Sequence, residues 1–141
     1  MSETGFDDAG VRRQVTAKMD FRRFSAIAED VVRRTRDKLP PDLRELAEKV
    51  PVLLQRMPSQ AILDEGFEDD LLGLFSGTPH GEELRDAQPM PPQIFLYLEN
   101  ILDMAEDDVA VFRDEVKLTY LHELGHYLGW DEDEVAARGL A

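Results

Sequence analysis

Near its C-terminal end the chain reads His122-Glu123-Leu124-Gly125-His126-Tyr127-Leu128-Gly129-Trp130-Asp131-Glu132-Asp133-Glu134. Two histidines four residues apart constrain the local fold, because a helix places i and i+4 on one face as neighbours. The preceding residues agree. From about Val109 to Leu128 apolar side chains recur at helical spacing, with Leu118, Leu121, Leu124, Gly125 and Leu128 as the expected stripe. Asp107 or Asp108 can cap the start of this helix, and Gly129 is suited to stop it. At ~100° per residue His122 and His126 project beside the stripe rather than within it.

That spacing suits a metal. Imidazole nitrogens on one helix face can both reach a single ion, and zinc takes nitrogen and oxygen ligands in a tetrahedral array. A catalytic zinc keeps one position open for water and lowers the pKa of that water toward neutrality. Glu123 is rotated one step from the first histidine, so its carboxylate can take a proton from such a water without binding the metal. The pattern H-E-x-x-H on a helix carries this chemistry. The expectation is one zinc per chain, held by His122 and His126, with Glu123 as general base. For a third ligand, Gly129 permits a reversal that brings an acidic residue back toward the ion. Ten residues beyond His122 stands Glu132, the choice by spacing in the longer H-E-x-x-H-x-x-G-x-x-H pattern. Asp131 is its nearest competitor.

The remaining composition narrows the alternatives. At 141 residues one domain is expected, and 43% hydrophobic content suffices for a core. A net charge of −14 argues against nucleic acid and against docking on anionic membranes. The chain has no cysteine, so a metal site must use histidine and carboxylate. No apolar run approaches a membrane span. The first residues show no basic start followed by an apolar stretch, so no signal peptide is visible and a cytoplasmic location is expected.

Residues 1–18 are polar and aperiodic and read as a flexible lead-in, with the domain over 19–141. From Asp20 the residues Phe21, Phe24, Ile27, Ala28, Val31 and Val32 predict a helix, ended by Leu39-Pro40-Pro41. A short helix over 42–49 follows. Strands are expected over 50–57, 71–77 and 93–98, with helical turns over 59–68 and 99–105 and a long loop over 78–92. Helices, then short strands, then a helix make an α+β domain.

Other candidates read more simply. His80 is expected to be a solvated loop residue, with a contact near the metal as the sharper reading. Tyr97, Tyr120 and Tyr127 could each offer a phenol to an oxyanion, although Tyr127 is rotated away from the histidines and suits packing. Phe112, Val116 and Trp130 read as packing. The acids Glu65, Glu68, Asp69 and Asp70 lack the spacing of a calcium loop. Arg33, Arg34 and Arg36 read as a solvated helix face.

With these residues in place, the chain resembles the small bacterial zincin-like metallopeptidases over roughly residues 20–141. The resemblance rests on Leu-Pro-Pro-Asp-Leu-Arg-Glu-Leu at 39–46, on Val50 to Met57 with Pro58-Ser59, and on Leu-Leu-Gly-Leu-Phe-Ser-Gly-Thr-Pro at 71–79. It continues through Pro-Gln-Ile-Phe-Leu-Tyr at 92–97 and ends in the specific block 122–129. It implies a minimal zincin-like fold, a small mixed sheet of three to four strands packed with an N-terminal helix and a C-terminal active-site helix, with an edge strand beside the latter. It implies zinc on His122 and His126, Glu123 as base, and an acidic third ligand; the family often has Asp where this chain has Glu132 preceded by Asp131. The function expected is zinc-dependent hydrolysis of peptide bonds in a peptide or protein substrate. The alternative is a catalytically silent, zinc-stabilised binding or regulatory module, and a weaker one is hydrolysis of a non-peptide amide or ester.

Overall fold

The structure, a computed structural model, describes residues 19–82 and 88–137, and of residues 132, 135 and 136 only the backbone. The expected lead-in over 1–18 and part of the long loop lie outside the described residues. Helix α1 (Phe21–Asp37) starts where Asp20 accepts the Arg23 amide at 3.1 Å. The short α2 (Pro41–Ala47) has proline at its first position, where the missing N–H costs no hydrogen bond. There follow β1 (Val52–Gln55), α3 (Gln60–Asp64), β2 (Gly73–Ser76), β3 (Gln93–Tyr97), α4 (Leu98–Met104), α5 (Val109–Tyr127) and α6 (Glu132–Ala137). The expected α+β class holds, with three strands in the described residues.

The sheet order is β1-β3-β2. β1 runs parallel to β3, with Val52 opposite Ile94 and Leu54 opposite Leu96. β2 runs antiparallel to β3, with Gly73 opposite Leu96 and Phe75 opposite Ile94. Since side chains alternate along a strand, these six residues share one face. Ile94 and Leu96 are fully buried there, in a core joined by Phe24, Ala28 and Val31 of α1 and Phe112, Val116 and Leu124 of α5. Phe24 and Phe112 meet edge to face with ring centroids 5.0 Å apart. The result is a mixed sheet with α1 and α5 on one face and β2 at its edge.

The strands are shorter than the apolar runs that predict them. Pro51 has no N–H for a ladder, though its carbonyl accepts the Ile94 amide at 3.0 Å. Leu71 and Leu72 precede β2, held by Asn100 of α4, whose side-chain amide donates to the carbonyls of Asp69 and Leu71 at 2.8 and 2.9 Å.

One expectation about α5 is corrected. Leu118 is 40% exposed, not part of a buried stripe. The buried residues are Phe112, Val116, Thr119, Tyr120, Glu123, Leu124, Gly125 and Tyr127, with Leu121 on a separate flank. α5 is covered by α1 and by the sheet, so its buried arc is wide and runs through Thr119 and Glu123. The leucines at 118 and 121 border grooves on either side of that arc.

Candidate metal centre

α5 begins at Asp108, which accepts the Val111 amide at 3.1 Å, and it ends in a Schellman turn. There the Gly129 amide donates to the His126 carbonyl and the Trp130 amide to the Gly125 carbonyl, both at 3.0 Å. Gly129 has φ 79°, a conformation that side-chain-bearing residues seldom adopt. The C-terminal end of the His122–His126 segment is therefore closed by backbone hydrogen bonds.

His122 and His126 are half-buried. Their Nε2 atoms stand 3.1 Å apart, and the rings meet at 87° with centroids 4.7 Å apart. Two nitrogens each about 2.0–2.1 Å from a tetrahedral ion would stand about 3.3 Å apart. The imidazoles thus already converge on a point suited to one small cation. Donor atoms of His122, Glu123 and His126 all lie within 4.8 Å of one another. Nitrogen and oxygen donors without sulfur fit zinc.

Glu123 is 8% exposed. Its Oε1 accepts the backbone N–H of Phe75 at 2.9 Å. The register explains this contact. The Leu72 carbonyl accepts the Tyr97 amide, so Leu72, Leu74 and Ser76 direct their backbone groups toward β3. Gly73 and Phe75 direct theirs outward, toward α5. The close approach needs a glycine at 73. A Cβ there would lie 2.6 Å from Thr119 Cγ2, 3.0 Å from the Phe95 carbonyl oxygen and 3.4 Å from Glu123 Cγ. The motif itself records neither this role of Gly73 nor the Phe75 amide. The available signal was a glycine inside an apolar strand run, which marks close backbone approach.

Beside the histidines lies an open depression of about 380 Å³, walled by Leu71, Leu72 and Gly73 of the β2 side and by Leu118 and Thr119 of α5, with His122 and Glu123 at its end. The exposed Leu118 belongs here.

The other candidates fall into place around this centre. Tyr127 is buried, with the rings of Phe75 and His80 both 5.8 Å away. His80 is exposed as expected, though its amide donates to the Tyr127 carbonyl at 2.7 Å and ties the loop to the end of α5. Tyr120 and Tyr97 are fully buried, which removes both from an open cleft. Among the described residues the Tyr97 hydroxyl has no hydrogen-bond partner. Its pKa is raised by burial first and then by the charge of Glu123. Asp131 is exposed, and its Oδ1 accepts the Glu134 amide at 2.8 Å, so this carboxylate caps α6. The Glu132 side chain lies outside the described residues.

A family model described as zincin-like metallopeptidase matches residues 47–140, a span running from the end of α2 through the histidine pair. No curated protein matches the chain. Among the described residues no helix is long and apolar enough to cross a membrane. With two thirds of its length matched, and with the two histidines and the glutamate drawn together at the end of α5, the chain belongs to the zincin-like metallopeptidase family.

Proposed function

We propose that this chain is a zinc-dependent peptidase in which His122, His126 and Glu132 hold one zinc and Glu123 is the general base. The observation that carries the reading is the convergence of the two imidazoles, 3.1 Å apart, with a carboxylate held beside them. Zinc, when bound, supplies a Lewis acid for a carbonyl oxygen and makes water a stronger acid. The residues of the chain do the rest. Glu123 is anchored through Oε1 by the Phe75 amide, and its carboxylate would take the proton of the attacking water and hand it to the leaving amine. Because the anchor is a backbone N–H, the carboxylate is oriented without a side chain that must itself be ordered.

Substrate would enter along β2. Among the described residues that strand has one neighbour, β3, and α5 packs against it. An extended peptide can add there as a further strand, with main-chain hydrogen bonds for affinity and pockets for specificity. The depression between Leu72 and Leu118 would receive an apolar side chain next to the bond cleaved. The test is hydrolysis across a peptide library by zinc-loaded wild type and Glu123→Gln. Glutamine retains an oxygen for the Phe75 amide but cannot act as a base. Loss of turnover with zinc retained is expected, and equal turnover would sink the mechanism.

A second reading, a zinc-stabilised module without turnover, draws on the burial of Glu123 and its bond to β2, which are also what a structural tie would show. Under that reading zinc-loaded wild type hydrolyses no peptide in the library.

A further inference from the structure

A second depression, of about 360 Å³, lies between α1 and α5 on the flank of α5 away from the histidines. At ~100° per residue, positions 113, 117 and 121 project roughly opposite His122 and His126. Four cations line it: Arg34 and Lys38 from the end of α1, and Arg113 and Lys117 one turn apart on α5. Among the described residues the one carboxylate in its lining is Asp114. Its apolar lining is Val31, Leu39 and Leu121, with Thr35 beside them.

This arrangement runs against the charge of the molecule. The chain carries 30 acidic residues and 16 Lys and Arg, so acidic partners are plentiful. Yet a quarter of the cations collect here. Two are spoken for: Arg34 Nε reaches Asp30 Oδ2 at 2.9 Å and Arg113 reaches the same oxygen at 2.8 Å. Asp30 also pairs with Arg33, so one carboxylate is shared by three guanidinium groups. Among the described residues neither Lys38 nor Lys117 has an ion pair. The Asp30 network therefore fixes the arginines in the wall, which lowers the entropy lost when a ligand is bound. It leaves the two lysines and the remaining guanidinium donors facing the depression. A solvated helix face, the simple reading of Arg33, Arg34 and Arg36, accounts for Arg33. It does not account for cations from two helices closing over an apolar lining.

We propose that this depression binds an aliphatic carboxylate, with the carboxylate against Lys38 and Lys117 and the aliphatic group on Val31, Leu39 and Leu121. Inorganic phosphate would gain the charge but nothing from the apolar lining. An apolar ligand would leave the cations without a counter-charge. The volume lies within the range of small-ligand sites, about 300–1,000 Å³. Two sources carry this chemistry: the C-terminal residue of a peptide, and a free aliphatic acid.

The test is a titration of ¹⁵N-labelled protein with three probes: acetyl-Ala-Leu with a free carboxylate, its C-terminal amide, and 4-methylpentanoate. Saturable shifts confined to residues 31–39 and 113–121 are expected for the two carboxylates, and the tighter of them identifies the source. The amide should bind about tenfold more weakly, the loss of a charge-assisted hydrogen bond. The exposed pair Lys38→Ala and Lys117→Ala should weaken the carboxylates by at least about tenfold with circular dichroism unchanged. Equal binding of acid and amide, undiminished binding by the double variant, shifts centred elsewhere, or no saturable shift at millimolar probe would each overturn the proposal. None of these readouts depends on turnover at the metal centre.

Discussion

Glu123 is the residue on which structure and chemistry meet. Its carboxylate is nearly enclosed, and one oxygen already serves the Phe75 amide. Truncating it leaves that amide without its acceptor. Glu123→Ala should therefore be less stable than Glu123→Gln by about 1–3 kcal/mol in denaturant unfolding, while both lack turnover. If the two variants unfold together, the Phe75 bond contributes nothing and Glu123 is held by packing alone. Asp30 behaves differently. The hydrogen bond from Arg113, then that from Arg34, hold its pKa down to about 2, from 3.8. A carboxylate whose folded pKa is depressed stabilises above its unfolded pKa and loses that contribution as pH falls through the folded one. Wild type should thus exceed Asp30→Asn in stability at pH 7, and the gap should close between about pH 4 and pH 2. A gap that persists at pH 2 would mean that packing, not charge, is what Asp30 supplies.

At the scale of elements, β2 and α5 are pressed together at Gly73. Gly73→Ala places a methyl 2.6 Å from Thr119 Cγ2 and 3.0 Å from the Phe95 carbonyl oxygen. Overpacking of this kind costs about 1–3 kcal/mol, and here it would also move the Glu123 carboxylate. Thr119→Ser removes the nearer atom, so the double variant should recover part of the lost stability. Additive losses would show that the helix and the strands yield elsewhere. The elements themselves were largely legible, because capping aspartates, prolines and a terminal glycine mark their ends. The apolar runs overstate the strands, because apolar residues continue past the hydrogen-bonded ladder. Leu118 departs from the expected stripe for a different reason. A helix covered on two sides is apolar around much of its circumference, and periodicity cannot separate a leucine of the core from one that borders a cleft. Leu118→Asp tests its placement: the fold should persist, since the side chain is exposed, while cleavage of peptides with an apolar residue at the scissile bond falls by about tenfold or more, roughly the transfer cost of one aliphatic side chain.

Over the whole molecule, what the sequence showed least was what joins distant segments. The histidine pair and its glutamate are local, and helix geometry alone brings them together. The Phe75 amide lies 48 residues from Glu123, and Arg113 lies 83 from Asp30. No local pattern records either pairing. The same holds for the cations between α1 and α5, which read as two unrelated basic stretches until the helices pack. The third metal ligand belongs to this class also. Asp131, the nearest competitor by spacing, caps α6 through Oδ1, so the choice between it and Glu132 is one for mutation to decide. Glu132→Ala should lower zinc retention on dialysis by tenfold or more, whereas Asp131→Asn, which can still cap, should leave it unchanged; the reverse order would reassign the ligand. The central claim is that zinc at this centre makes the chain a peptidase. Its most direct test is to strip the metal, titrate zinc back, and follow hydrolysis of a peptide mixture. Turnover is predicted to rise with added zinc and to level off at one zinc per chain. Zinc that binds at one per chain without any turnover, or turnover that ignores zinc, would contradict it.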